Sequence, residues 1–242
     1  MKQASDAILR PEQAAYLDAL HSTSVRALAS MAAMAASGGA RSPLAHPERD
    51  PLLVKMEARA ASCGYPISDP EVACFLAIVA RVARPKHVVE LGTNIGYGAI
   101  VMARAAGDGS RVATIEYNPA LVEEARGFIA EADLSDRIEV VQGMAIPELQ
   151  RISTPIDMIY IDCVKEEYPR YLEIAVPKLS PRGIVVADNV LWGGAVAMHS
   201  PPKEERARAE ALRAFNEKLA SRPELCAVVL PLGDGVAFAT RI

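Results

Sequence analysis

Four acidic residues, Glu90, Glu116, Asp162 and Asp188, each close a short apolar run, in HVVELG, RVATIE, IDMIYID and GIVVAD. Runs of this kind read as buried strands, and an open α/β sheet binds its ligands beyond the carboxyl ends of its strands. One or two acids there could be helix caps. Four that converge on one edge read as a site. Asp162 and the Asp188, Asn189 pair end two consecutive strands, and if those strands are neighbours they lie about 4.8 Å apart. Their three oxygen-bearing side chains can then meet on one small ion. Oxygen donors without His or Cys select a hard divalent cation, Mg²⁺ or another such as Mn²⁺ or Ca²⁺. Lys165 follows Asp162 by three residues, in the loop above that cluster.

The loop ELGTNIGYG joins the first strand to a helix, and its glycines let a ligand approach backbone N–H groups at a helix N-terminus. Gly92, Gly96 and Gly98 read GxxxGxG, whereas a dinucleotide fingerprint reads GxGxxG, and Glu90 would repel a pyrophosphate. A zwitterionic ligand fits better. Glu116 is placed to accept hydrogen bonds from both ribose hydroxyls of a nucleoside-bearing cofactor.

The elements that must position these residues alternate. After Pro85, short β-rich runs and longer helical patterns succeed one another: a helix over 97–106, another over 119–132, a short one near Pro147, then 168–179 and 203–221. Alternation of this kind predicts a doubly wound, mostly parallel seven-stranded sheet with right-handed crossovers, and the final two runs around a Gly-Asp-Gly turn predict an antiparallel hairpin. A helix over 70–83 opens this core, with Ser68 or Asp69 as its cap. Two further helical stretches, 11–36 and 51–62, precede it, so the chain divides into N-terminal helices (1–64) and a catalytic core (65–242). Leu17, Leu20, Leu28, Met31 and Met34 give the first stretch an apolar face for dimerisation or substrate enclosure.

Composition excludes other classes. Of 242 residues, 51% are hydrophobic, and 26 basic against 30 acidic side chains leave a net charge of −4 without like-charge blocks. The chain should fold on one core, and the electrostatic footprint of a nucleic-acid binder is missing. Four cysteines without a CxxC pair suggest a reducing cytoplasm, and the weakly polar stretch 25–36 is too short and too charged at its flanks for a signal peptide or a membrane span. The four histidines show no ligand spacing for zinc.

VVELGTNIGYG, IDCVKEEY, VVADNVLWGG and PLGDGVAFA together resemble motifs of the class I S-adenosylmethionine-dependent methyltransferases, and within them the cation-dependent O-methyltransferases of the catechol and caffeoyl-CoA type. The resemblance runs from about Ser68 to Ile242. It implies that Glu90, Gly92, Thr93, Gly96 and Gly98 hold the methionine end of the cofactor and that Glu116 and Tyr117 hold the ribose side. Met144, Ala145, Asp162, Cys163 and Val164 would border the adenine. The family commonly has Ser or Thr where Gly98 stands and often Asp where Met144 stands. By the same resemblance Asp162, Asp188 and Asn189 are the metal ligands, Lys165 removes a proton from the substrate hydroxyl, and Tyr168, Asn189 and Trp192 flank the substrate. The expected activity is therefore divalent-cation-dependent methyl transfer to a catechol-like small aromatic by a homodimer, with no membrane partner. The alternative is methylation of a hydroxylated uridine in tRNA, for which the mixed cluster Lys203, Arg206, Arg208, Arg213 offers little basic surface.

Overall fold

The structure is a computed structural model that describes residues 50–242, so the expected helix over 11–36 and its apolar face lie outside the described residues. The elements follow in the order α1 (Pro51–Cys63), α2 (Pro70–Ala83), β1 (His87–Leu91), α3 (Tyr97–Ala106), β2 (Arg111–Glu116), α4 (Pro119–Glu131), β3 (Ile138–Gln142) and α5 (Ala145–Arg151). They continue with β4 (Ile156–Ile161), α6 (Tyr168–Ala175), β5 (Leu179–Ala187), α7 (Arg206–Ser221), β6 (Leu225–Leu230) and β7 (Val236–Arg241). The seven strands form one sheet in the order β3-β2-β1-β4-β5-β7-β6. The pairs from β3 to β5 are parallel, and β7 runs antiparallel to both β5 and β6. This is the doubly wound sheet with a terminal hairpin that the alternation predicts.

Side chains of a strand alternate between its two faces. Val88, Val112, Met158, Tyr160, Ile184 and Val186 pack with α1 to α4 in one core, whereas Val89, Leu91, Ile115, Ile159, Ile161 and Val185 pack with α5 to α7 in another. Continued past the strand ends, that alternation assigns Glu90, Glu116, Asp162 and Asp188 all to the first face. The register supports it, since Glu90 stands beside Thr114 on one side and Tyr160 on the other.

Element ends differ from expectation where prolines intervene. The helix expected to reach Leu179 stops at Ala175, Val176–Lys178 forms a 3-10 turn around Pro177, and β5 begins at Leu179, earlier than the expected Gly183. The last helix starts at Arg206 instead of Lys203. Asp69 occupies the cap of α2 without a side-chain capping bond.

The turn after β1 is set by contact with β4. Gly92 has φ +98, and a Cβ there would stand 2.0 Å from the Asp162 carbonyl oxygen. Only glycine fits both conditions. We expect Gly92→Ala to destabilise the protein by about 2–4 kcal/mol, as backbone strain and a backbone clash combine. Chemical denaturation would read this, and a loss below about 0.5 kcal/mol would show that the two strand ends can part without cost.

Candidate functional site

Glu90 is 1% exposed, and its Oε2 accepts a hydrogen bond from Thr114 Oγ1 at 2.5 Å. Thr93 Oγ1 lies 2.6 Å from the same Thr114 hydroxyl. Burial pushes the Glu90 carboxyl up to about 8; the Thr114 bond opposes this shift, and the charges of Asp162 and Glu116 add to it. A positively charged ligand group placed here would favour the ionised form, which suits the zwitterion expected from the sequence. Gly98 has a steric reason. A Cβ there would stand 2.3 Å from Glu90 Oε1, so a Ser or Thr would displace the carboxylate.

Glu116 is buried and oriented by the backbone, with Oε2 accepting from Asn94 N at 3.1 Å and Oε1 from Asn118 N at 2.9 Å. Gly96 caps α3 with φ 89, and Gly96 N donates to Thr93 O, which closes the glycine loop. Tyr117, Met144 and Val164 follow the ends of β2, β3 and β4, and all three are exposed although largely apolar. Ala145 opens α5, directly after Met144. Exposed apolar side chains of this kind, after β3 and β2 and, across β1, after β4, are what a flat heterocycle can cover.

The β4 and β5 ends meet through Lys165. Ile161 pairs with Ala187, so Asp162 and Asp188 leave adjacent strands, as the ion site requires. The Lys165 ammonium donates to Asp162 Oδ1 at 2.7 Å, Asn189 Oδ1 at 2.8 Å and the Tyr168 hydroxyl at 2.8 Å. Asp188 accepts from Tyr160 OH at 3.0 Å through Oδ2 and from Asn189 N at 2.7 Å through Oδ1. Burial, reinforced by the Asp162 charge, pushes the Asp188 carboxyl up to about 7. Asn189 adopts φ 55, which turns the chain so that its side chain faces Lys165.

Among the described residues no group of three or more His, Cys, Asp or Glu side chains could hold a metal ion. The candidate set is two carboxylates and one amide. It fits a hard cation by one observation: Asp162 and Asn189 already share a single positive charge, the Lys165 ammonium, between their oxygens.

The two aromatic candidates have different places. Tyr168 is fully buried beneath Lys165, where its hydroxyl also lies 3.1 Å from the Ile161 and Asp188 carbonyl oxygens, and its ring packs on Phe215. It supports the lysine from inside the core. Trp192 lies in a 3-10 segment after β5 and is half-buried. Its Nε1 donates to Glu205, the Arg208 guanidinium lies 5.3 Å from its ring centroid, and Arg208 also pairs with Glu166 at 3.4 Å. α7 thereby ties the loop bearing Lys165 to the loop bearing Trp192.

Sequence reading missed Thr114 and Tyr160, and it gave Arg208 only a place in a mixed basic cluster. Thr114 and Tyr160 were visible as polar groups inside otherwise apolar strands, but nothing short of the register shows that both flank Glu90. Cys163, expected near adenine, donates to Tyr171 OH at 3.0 Å, and burial pushes its thiol up to about 11.

Comparisons with known proteins converge. A family model described as O-methyltransferase matches residues 52–242. A catechol O-methyltransferase of Mycobacterium tuberculosis is 36% identical over 145 residues, 59% of this chain and 66% of that protein. A catechol O-methyltransferase of Niastella koreensis is 32% identical over 202 residues, 79% of this chain and 90% of its own length. Among solved structures, an O-methyltransferase from Bacillus cereus in complex with SAH superposes with a TM-score of 0.73 at 26% identity, covering 90% of this chain and 100% of that one.

Glu90 generates a stability prediction. Its carboxyl titrates near 4.5 when unfolded and near 8 when folded, so its stabilising contribution is complete below about pH 4.5 and is lost as pH rises through 8. We expect the ligand-free protein to melt at progressively lower temperature between about pH 5 and 8, and Glu90→Gln to flatten that slope. Asp188 shifts in the same direction, so some slope should persist. Identical slopes for the two proteins would refute the protonated state of Glu90.

Proposed function

The chain belongs to the O-methyltransferase family, and from that premise we propose that it is a divalent-cation-dependent enzyme that methylates one hydroxyl of a catechol-like aromatic. As an S-adenosylmethionine-dependent O-methyltransferase it draws its methyl group from a sulfonium donor. The observation that carries the finer reading is the Lys165 ammonium held by Asp162, Asn189 and Tyr168 at the sheet edge, beside a fourth oxygen-bearing group, Asp188.

Glu90 and Glu116 are placed to bind the two ends of the donor, the first facing its ammonium and the second its ribose hydroxyls, each held by bonds that leave lone pairs free. Asp162, Asp188 and Asn189 would hold the cation, which when bound supplies a Lewis acid that lowers the pKa of an adjacent catechol hydroxyl. Lys165, once it has released its own proton to solvent, takes the proton of the hydroxyl to be methylated at Nζ. The bond from that oxygen to the methyl carbon then forms as the carbon–sulfur bond breaks, leaving neutral S-adenosylhomocysteine. Tyr168 and Asn189 keep Nζ pointed at the reacting oxygen. The relatives named for catechol methylation support this acceptor class.

EDTA should abolish methyl transfer to catechol and Mg²⁺ should restore it, while a phenol with a single hydroxyl reacts far more slowly. Lys165→Met should lower turnover by about 10²–10⁴-fold near pH 7 and by less at high pH, where catechol ionises unaided. Metal-independent methylation of a lone hydroxyl would overturn the cation reading. Transfer to tRNA in preference to every small catechol would overturn the acceptor. A Lys165→Met defect equal at both pH values would reassign that lysine to positioning.

A further inference from the structure

The pole of the sheet opposite the acidic edge carries a concavity. Residues 81–86 lead into the start of β1, and residues 104–110 lead from the end of α3 into the start of β2. Between them lies a cavity of about 510 Å³, lined by Arg81, Arg84, Lys86 and Arg104, with Asp108 as its one acidic residue. That volume is within the range of small-ligand sites.

The charges there are unbalanced. Arg104 spends its charge on buried Asp50. Among the described residues, neither Arg84 nor Lys86 has a side-chain carboxylate partner. Asp157 lies close to Lys86 but commits its oxygens to Ser180 Oγ and to the backbone N–H groups of Lys86 and His87. Asp108 is fully solvent-exposed and faces Arg137 at 3.9 Å.

Cations at a helix C-terminus ordinarily neutralise its free carbonyls. At α3 that work is already done, because Arg137 Nη2 donates to the Ala103 and Gly107 carbonyls. Arg84 also holds a conformation it disfavours: it caps α2 with φ 49 and ψ 54, a left-handed position where glycine is the usual residue. Ser110, on the cavity wall, has a buried hydroxyl without a hydrogen-bond partner. Unpaired cations in a concavity, one of them on a strained backbone, are poised for a compact polyanion.

We propose that this cavity, formed by the ends of α2 and α3 and the starts of β1 and β2, binds a small molecule carrying two linked phosphates. Arg84 and Lys86 would contact the phosphate oxygens. The site is separate from the acidic edge and does not depend on the acceptor assigned there.

The test is calorimetric titration of the full chain with inorganic pyrophosphate at low ionic strength. We expect saturable one-to-one binding that weakens at least tenfold in Arg84→Glu/Lys86→Glu, falls steeply with added salt, and is unchanged in Lys203→Glu. Arg84→Gly separates charge from folding: it relieves the left-handed strain, so it should raise the melting temperature while still weakening pyrophosphate. Absence of saturable binding up to millimolar pyrophosphate would overturn the site. So would equal weakening by Lys203→Glu, which would mean a diffuse charge effect. Tight binding of a single-stranded RNA oligomer that pyrophosphate fails to displace would also overturn it, in favour of a polymer-binding surface.

Discussion

Crowding of like charge in a dry place is the constraint on which the acidic edge of the sheet depends. Glu90, Glu116 and Asp188 are buried, Asp162 stands beside them, and the one ammonium among them belongs to Lys165. Each neighbour answers that strain in the only currency available in a low-dielectric site, a directed hydrogen bond. Thr114 serves Glu90, two backbone amides serve Glu116, and Tyr160 and the Asn189 amide serve Asp188. None of these donors carries charge. The edge is therefore short of positive charge, and both a sulfonium-bearing amino acid derivative and a divalent ion would relieve it.

Much of this was legible in the sequence because strand ends announce themselves. An acid after a short, mostly apolar run, repeated at four strands, needs no register to be noticed, and the alternation of strand and helix determines that all four lie at one edge. Their placement on one face was less accessible. It depends on pairings such as Glu90 with Thr114 and Tyr160, which join residues 24 and 70 positions apart. The second layer was hidden for the same reason: Tyr168 reads as an aromatic near Lys165 at the substrate, yet packing against Phe215 draws it fully into the core. Helix ends were misjudged where Pro177 sits in a 3-10 turn between the helix and β5.

α7 shows how an element without chemistry of its own can organise a site. It packs on α6 through Leu212 and Phe215, and from its first turns Arg208 reaches both Trp192 and Glu166. The loops after β4 and β5, which carry Lys165 and Trp192, are thus braced from outside, while Tyr168 braces Lys165 from within. Support from both sides suits a lysine held by three directed hydrogen bonds.

The strand order has a consequence for assembly in time. β1 lies at the centre of the parallel strands, yet it completes its pairing only when β4 arrives some seventy residues later, and β5 is flanked only when β7 inserts between it and β6. During synthesis the acidic edge therefore has no lasting form until residues 236–241 have left the ribosome. Contacts of such sequence separation make for slow folding, with loop-closure entropy spent well before the pairing energy is gained. In that interval the apolar stretch IVVA of β5 has no strand on its far side, which makes it the segment through which a nascent chain would misassociate.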